Sequence, residues 1–233
     1  MSKEIALSLS KQFADANITE VLQCLANEYA NKIIFTSSFG IEDQVISHII
    51  FHNNINIKVA TLDTGRLFKE TYKTYSRTLE KYGKTIFCYF TNYRDVEKML
   101  TEKGPSSFYD SVENRKECCN IRKIEPLKRL LSGNEVWITG IRADQSENRN
   151  VMQLFMWDES NRILKYNPLL NWSFDDCMVF AHSNDVPYNS LHDKGFVSIG
   201  CEPCTRAIQQ GEDFRAGRWW WEDKSKKECG LHG

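Results

Sequence analysis

The chain has 233 residues, with 30 Lys and Arg against 31 Asp and Glu, so its net charge is −1. Hydrophobic residues make up 41% and charged residues 26%, the composition of a soluble globular protein long enough for one sizeable domain. The balanced charge excludes a global electrostatic case for nucleic acid or an anionic membrane, and leaves any anion site to a local cluster.

No apolar run approaches the ~20 residues that span a bilayer, and Met1-Ser2-Lys3-Glu4 leads into a helical pattern, not a signal segment. With eight cysteines at this size, those features indicate a reducing cytoplasm, not a disulfide framework. Residues 4–30 read as two amphipathic helices broken near Asp15–Asn17, the second capped by Asn17 or Thr19. Lys32–Thr36 is a short apolar strand, and Ser37–Gly40 is the turn into a helix carrying Val45, Ile46, Ile49 and Ile50. Ile57–Leu62 is a second strand ending in Asp63-Thr64-Gly65-Arg66, followed by a crossover helix over Phe68–Tyr82. Thr85–Phe90 and Asn134–Thr139 are a third and a fourth strand. Residues 151–170 read as a hairpin with arms Met152–Trp157 and Ile163–Tyr166, and a helix follows around Asp175–Ser183. From about residue 190 the pattern is irregular, and the Trp219-Trp220-Trp221 run fits packing of the tail against the domain.

Strands alternating with helices predict an α/β fold, a mostly parallel sheet covered by helices on both faces. No composition shift marks a second domain. Residues 1–30 are read as part of the same domain, 31–200 as the α/β body, and 201–233 as a functional C-terminal segment. Ligands of such sheets bind beyond the carboxyl ends of the strands. The turns Ser37–Gly40, Asp63–Arg66 and Gly140–Arg142 all fall there.

Four cysteines carry the chemistry. Cys118-Cys119 and Cys201-Glu202-Pro203-Cys204 are 82 positions apart, counted between Cys119 and Cys201, so the fold must join them. Zinc sites favour ligands two to four residues apart. Adjacent cysteines on a helix project about 100° apart, and suit a bulkier group such as an iron–sulfur cluster. A zinc-stabilised, non-enzymatic protein is the competing reading. Cys24, Cys88 and Cys177 lie in apolar-periodic segments and are expected to be buried small hydrophobes. Ser37-Ser38-Phe39-Gly40 at a helix start suits a phosphate, although the Gly-rich, Lys-terminated loop of nucleoside triphosphatases is absent from the turn. Arg122 and Lys123 follow the first cysteine pair, Arg206, Arg215 and Arg218 follow the second, and Arg142 closes the fourth strand. Arg suits a bidentate grip on sulfate or phosphate. Cys229, flanked by Lys226, Lys227 and His232, is a thiol in a cationic setting that favours the nucleophilic thiolate.

Taken together, the chain resembles the assimilatory adenylyl-sulfate reductases, the iron–sulfur branch of the phosphoadenylyl-sulfate reductase family. The resemblance runs from about Ile33 onward and rests on seven elements: Ser37–Asp43, Leu62–Leu67, Glu70–Tyr72, Cys118–Lys123, Gly140–Arg142, Gly200–Cys204 and Glu228–His232. It implies an adenine nucleotide alpha hydrolase-like fold and a 4Fe–4S cluster on Cys118, Cys119, Cys201 and Cys204. Ser37, Ser38, Gly40, Asp63, Thr64 and Arg66 would line the nucleotide pocket, and Lys123, Arg142, Arg215, Arg218 and His232 would surround a phosphosulfate. Cys229 would be the nucleophile on a mobile tail. The implied substrate is adenosine 5′-phosphosulfate, with the 3′-phosphorylated form as the alternative. The implied electron donor is thioredoxin acting in trans, because no thioredoxin-like segment accompanies these motifs. Association into a homo-oligomer is left open.

Overall fold

A computed structural model describes residues 2–145 and 152–223. Helix α1 (Lys3–Gln12) and α2 (Ile18–Glu28) lead into β1 (Ile33–Ser37), α3 (Ile41–His52), β2 (Lys58–Asp63), α4 (Lys69–Tyr82) and β3 (Phe87–Phe90). Then come α5 (Tyr93–Lys103), α6 (Val112–Cys119), α7 (Glu125–Leu131), β4 (Val136–Ile138), β5 (Phe155–Asp158), β6 (Ile163–Tyr166) and α8 (Phe174–Ser183). Local chemistry explains the boundaries. The Asn17 side chain accepts from the Thr19 amide to start α2, and Ser173 with Asp176 forms a capping box on α8. Gly83, at φ +59, stops α4 in the left-handed region.

The six strands form one sheet in the order β3-β2-β1-β4-β6-β5, all neighbours parallel except the β5–β6 pair. From β1 the chain winds outward through β2 to β3 and then returns to β4 on the other side of β1, which makes the β1–β4 boundary the topological switch point. The two sheet faces are covered unequally. Ile33, Phe35, Val59, Val136 and Leu164 pack with residues of α1, α2, α3 and α8 in the larger core. Ile34, Ala60 and Trp137 pack on the other face against Leu127, Leu130 and Leu131 of α7. Buried Lys165 pairs with Asp158 at 2.8 Å and lies over the Trp137 ring.

The α/β class and the mostly parallel sheet agree with expectation, and the hairpin arm begins at Phe155, three residues inside the expected Met152. Two cysteines depart from it. Cys24 lies outside the buried stripe Val21, Leu22, Leu25, Ala26 of α2 and is exposed; Cys88 is exposed on the edge strand β3. Only Cys177 of those three is buried. Among the described residues, no helix is long and apolar enough to cross a membrane.

Candidate active site

A cavity of about 220 Å³ opens at the carboxyl ends of β1, β2 and β4. The strand ends contribute Thr36, Ser37, Thr61, Leu62 and Thr139, and the following turns contribute Ser38, Gly40, Thr64, Gly140 and Ile141. The far segment contributes Ser198, Gly200, Cys201, Phe214, Arg215, Arg218 and Trp219. The buried Thr61 hydroxyl lines this space and has no partner among the described residues.

The turn after β1 is held from within. The Asp43 carboxylate accepts from the Ser38 amide (2.6 Å) and hydroxyl (2.7 Å), and the Phe39 amide donates to the Ser37 hydroxyl. Phe39 sits at φ +61, stacked on Tyr75 at 4.7 Å. The Ile41 amide donates to His192 Nε2, so Nδ1 carries the proton that goes to the Phe196 carbonyl. Burial lowers the His192 pKa, consistent with that neutral ring. Three amides of the expected phosphate cradle thus already have internal partners. Asp43 itself lines the cavity at 7% exposure, and burial, reinforced by Glu42, raises its pKa to about 7. A Cβ on Gly140 would come 2.2 Å from Asp43 Oδ1, so only glycine fits there. The neighbouring Glu42 accepts from Arg142 Nε (2.8 Å) and Gln145 (2.9 Å).

The opposite end is cationic. Lys123, Arg215 and Arg218 line the cavity beside Cys201. A Cβ on Gly200 would lie 2.4 Å from an Arg218 guanidinium nitrogen, so this glycine makes room for the cation. Of the expected residues, Ser37, Ser38, Gly40, Thr64, Lys123, Arg215 and Arg218 meet in this cavity. Three are elsewhere. Asp63 accepts from the Gly65 amide and the Tyr72 hydroxyl. Arg66 donates to the Pro105 carbonyl, lies over Phe108, and faces the cysteines. Arg142 is buried against Glu42 and Asp144, with one guanidinium nitrogen lacking a partner among the described residues. Cys229 and His232 lie outside the described residues.

Cys118, Cys119, Cys201 and Cys204 all line a second, smaller cavity, and all four are buried thiols outside any disulfide. Helix α6 ends at Cys119 and continues through a π-turn, Asn120–Ile124, which carries Arg122 and Lys123. Both cysteine segments dock on the turn after β2. Arg122 donates to the Thr64 carbonyl (2.6 Å) and hydrogen-bonds Cys118; Cys201 Sγ lies 3.3 Å from the Thr64 hydroxyl; the Glu202 amide donates to the Arg66 carbonyl. Burial pushes the Cys118 thiol up, and the Cys204 thiol up to about 12, where neighbouring Cys201 adds to the effect. Cys201 goes the other way. Burial opposes its ionisation, but Lys123, the Thr64 hydroxyl, Arg218 and Arg122 together hold it below the usual thiol range. Tetrahedral zinc would need all four sulfurs about 2.3 Å from one point. Among the described residues no group of three or more Cys, His, Asp or Glu is placed to hold a single metal ion. Four buried cysteines around one cavity are an all-sulfur donor set of the kind an iron–sulfur cluster takes.

Residues 32–207 match the family model of the phosphoadenosine phosphosulfate reductase domain. Curated relatives named adenosine 5′-phosphosulfate reductase include that of Rhizobium meliloti, 46% identical over 201 residues, covering 86% of this chain and 76% of that protein. The Burkholderia cepacia relative of the same name is 44% identical over 234 residues, covering 100% of this chain and 93% of that protein. Among solved structures, phosphoadenylyl-sulfate reductase from Candida auris in a phosphate complex superposes with a TM-score of 0.75 at 26% identity, over 89% of this chain and 98% of that one. Candida glabrata FMN adenylyltransferase, at 13% identity and a TM-score of 0.56, over 90% of this chain and 75% of that one, shares the fold. The conclusion from model, relatives and architecture together is that the chain belongs to the phosphoadenosine phosphosulfate reductase family.

Proposed function

We propose that this enzyme is an oxidoreductase acting on sulfur, reducing adenosine 5′-phosphosulfate to sulfite and AMP in sulfate assimilation in the cytoplasm. The observation that carries the reading is the cationic end of the cavity, where Lys123, Arg215 and Arg218 converge beside Cys201. The relatives named adenosine 5′-phosphosulfate reductase support the substrate. The polar strand ends, with Thr61 unpartnered, suit a nucleoside; the cations suit a phosphosulfate.

Cys229 attacks the sulfonate sulfur as a thiolate. A sulfur–sulfur bond forms, the bond from sulfur to the bridging oxygen breaks, and AMP leaves with that electron pair. Lys123, Arg215 and Arg218 stabilise the charge that develops on the departing oxygen. His232 assists at the same end. A dithiol protein of the thioredoxin class then attacks Cys229 Sγ and expels sulfite. Its second thiol resolves the mixed disulfide and frees Cys229, so two thiols supply the two electrons. Cys118, Cys119, Cys201 and Cys204 would hold a 4Fe–4S cluster, which supplies a structural tie and a local field beside Lys123. Asp63 and Arg66 act indirectly in this reading, by shaping the turn on which both cysteine segments rest.

Anaerobic incubation with adenosine 5′-phosphosulfate and no reductant, followed by intact-mass and peptide analysis, tests the reading. A sulfonate adduct on Cys229 is expected. An adduct only from the 3′-phosphorylated nucleotide reassigns the substrate, and no adduct from either refutes thiol attack.

A further inference from the structure

Arg115 of α6 and Glu222 form a bidentate ion pair, Nε to Oε1 at 2.9 Å and one terminal nitrogen to Oε2 at 2.8 Å. Their side chains are 0% and 4% exposed. Arg115 also hydrogen-bonds Cys119 and lies 4.6 Å over the Trp219 ring. Arg218 and Arg215 lie at 4.9 and 5.7 Å from the same ring, and Trp219 lines both the substrate cavity and the cysteine cavity. The Trp219 amide donates to the Cys204 carbonyl, and the Glu222 amide to the Trp219 carbonyl. A buried ion pair is a poor route to stability, since apolar residues of similar size often serve as well. What its two-pronged geometry adds is a fixed direction.

We infer that the Arg115–Glu222 pair is a positioning device, fastening residues 219–222 to the cysteine-bearing helix and so fixing Trp219, the ring against which Arg215 and Arg218 rest at the cationic end of the substrate cavity. The inference rests on that cavity being the substrate site proposed above. Arg115 touches Cys119, so the same pair ties the placement of these cations to the integrity of the cysteine segments.

The test uses the full-length protein as purified anaerobically, with Glu222→Gln, the double variant Arg115→Met/Glu222→Met, and Glu159→Gln as a distant surface control. Three quantities are read: visible absorption, hydrogen exchange of the peptide over residues 216–223, and single-turnover sulfonation of Cys229 at saturating adenosine 5′-phosphosulfate. Glu222→Gln is expected to keep its absorption, speed exchange in that peptide by about 10-fold, and slow sulfonation by about 10-fold to 100-fold. The double variant is expected to recover thermal stability but not the sulfonation rate. Unchanged sulfonation in Glu222→Gln despite faster exchange, or recovery of rate along with stability in the double variant, overturns the inference while leaving the function intact. Failure of the unmodified protein to form the adduct at all overturns the functional reading, and the inference with it.

Discussion

The two ends of the substrate cavity are built in opposite ways. The end at β1 is local: Ser37, Ser38, Gly40, Glu42 and Asp43 lie within seven residues, and their turn is closed by its own hydrogen bonds. The end at the cysteines is assembled from afar, with Lys123 from the π-turn after α6 and Cys201, Arg215 and Arg218 from the irregular segment, both docked on Thr64–Arg66. The first end is acidic and preorganised by the sheet. The second is cationic, and its order depends on the cysteine centre. One region is therefore vulnerable through the fold, and the other through whatever the thiols hold.

The contrast can be broken from either side. The largest effect is expected for Cys201→Ala: loss of activity and of visible absorption, with the far-UV circular dichroism of the sheet retained. Collapse of the sheet signal as well would show that the two regions are not separable. Gly200→Ala comes next, because its new methyl group displaces Arg218. Substrate affinity should fall by about 10-fold to 100-fold, a loss of one charge-assisted contact of about 1.5–3 kcal/mol. Titration calorimetry giving unchanged affinity would remove Arg218 from the substrate site.

Asp158→Asn strikes the sheet alone. It strands the buried Lys165 charge, and breaking such a pair costs about 3–5 kcal/mol. Denaturant unfolding should record that loss while nucleotide binding persists in the folded fraction. In the intact protein, burial works against Asp158, but Lys165 and Asn161 hold its pKa below the ordinary carboxylate range. Its stabilisation is present above the unfolded carboxylate pKa and is lost as pH falls through the lower, folded value.

Asp43 carries the reverse sign. Its folded pKa, about 7 against an ordinary 3.8, means the native state holds a proton that the unfolded chain releases. Stability is expected to decline as pH rises from about 4 to about 7 and to level off above that. Asp43→Asn should flatten this slope in urea titrations across that range; an unaltered slope would assign it to another group. The smallest effect is expected for Glu159→Ala, whose exposed pair with Lys3 is screened by solvent, so the denaturant midpoint should barely move.

Much of this organisation is visible in the sequence wherever the signal is local. The apolar runs at Ile33–Phe35 and Val59–Leu62, the polar turns that follow them, and the Asn17 cap all report themselves within a few residues. Helices α5 and α6 do not, because their buried positions are sparse: Met99 alone in α5, and in α6 Arg115 with the two cysteines. Contacts across long separations are equally silent. Glu42 with Arg142, His192 with Ile41, and Arg115 with Glu222 join residues 100 or more positions apart and follow no spacing rule. Arg142 reads as a substrate cation because it closes the fourth strand, whereas three-dimensional packing pairs it with Glu42. Cys88 misleads for a related reason: an edge strand looks apolar in sequence, yet its place at the sheet edge leaves Phe87, Cys88 and Phe90 exposed.

The packing of residues 201–222 around the thiols also sets an order of access. Cys118, Cys119, Cys201 and Cys204 are each at most 9% exposed, and Arg115 and Trp219 line the cavity they share. Cys24 and Cys88 stand exposed. A thiol-alkylating reagent offered to the folded protein therefore meets those two first and the four buried thiols last.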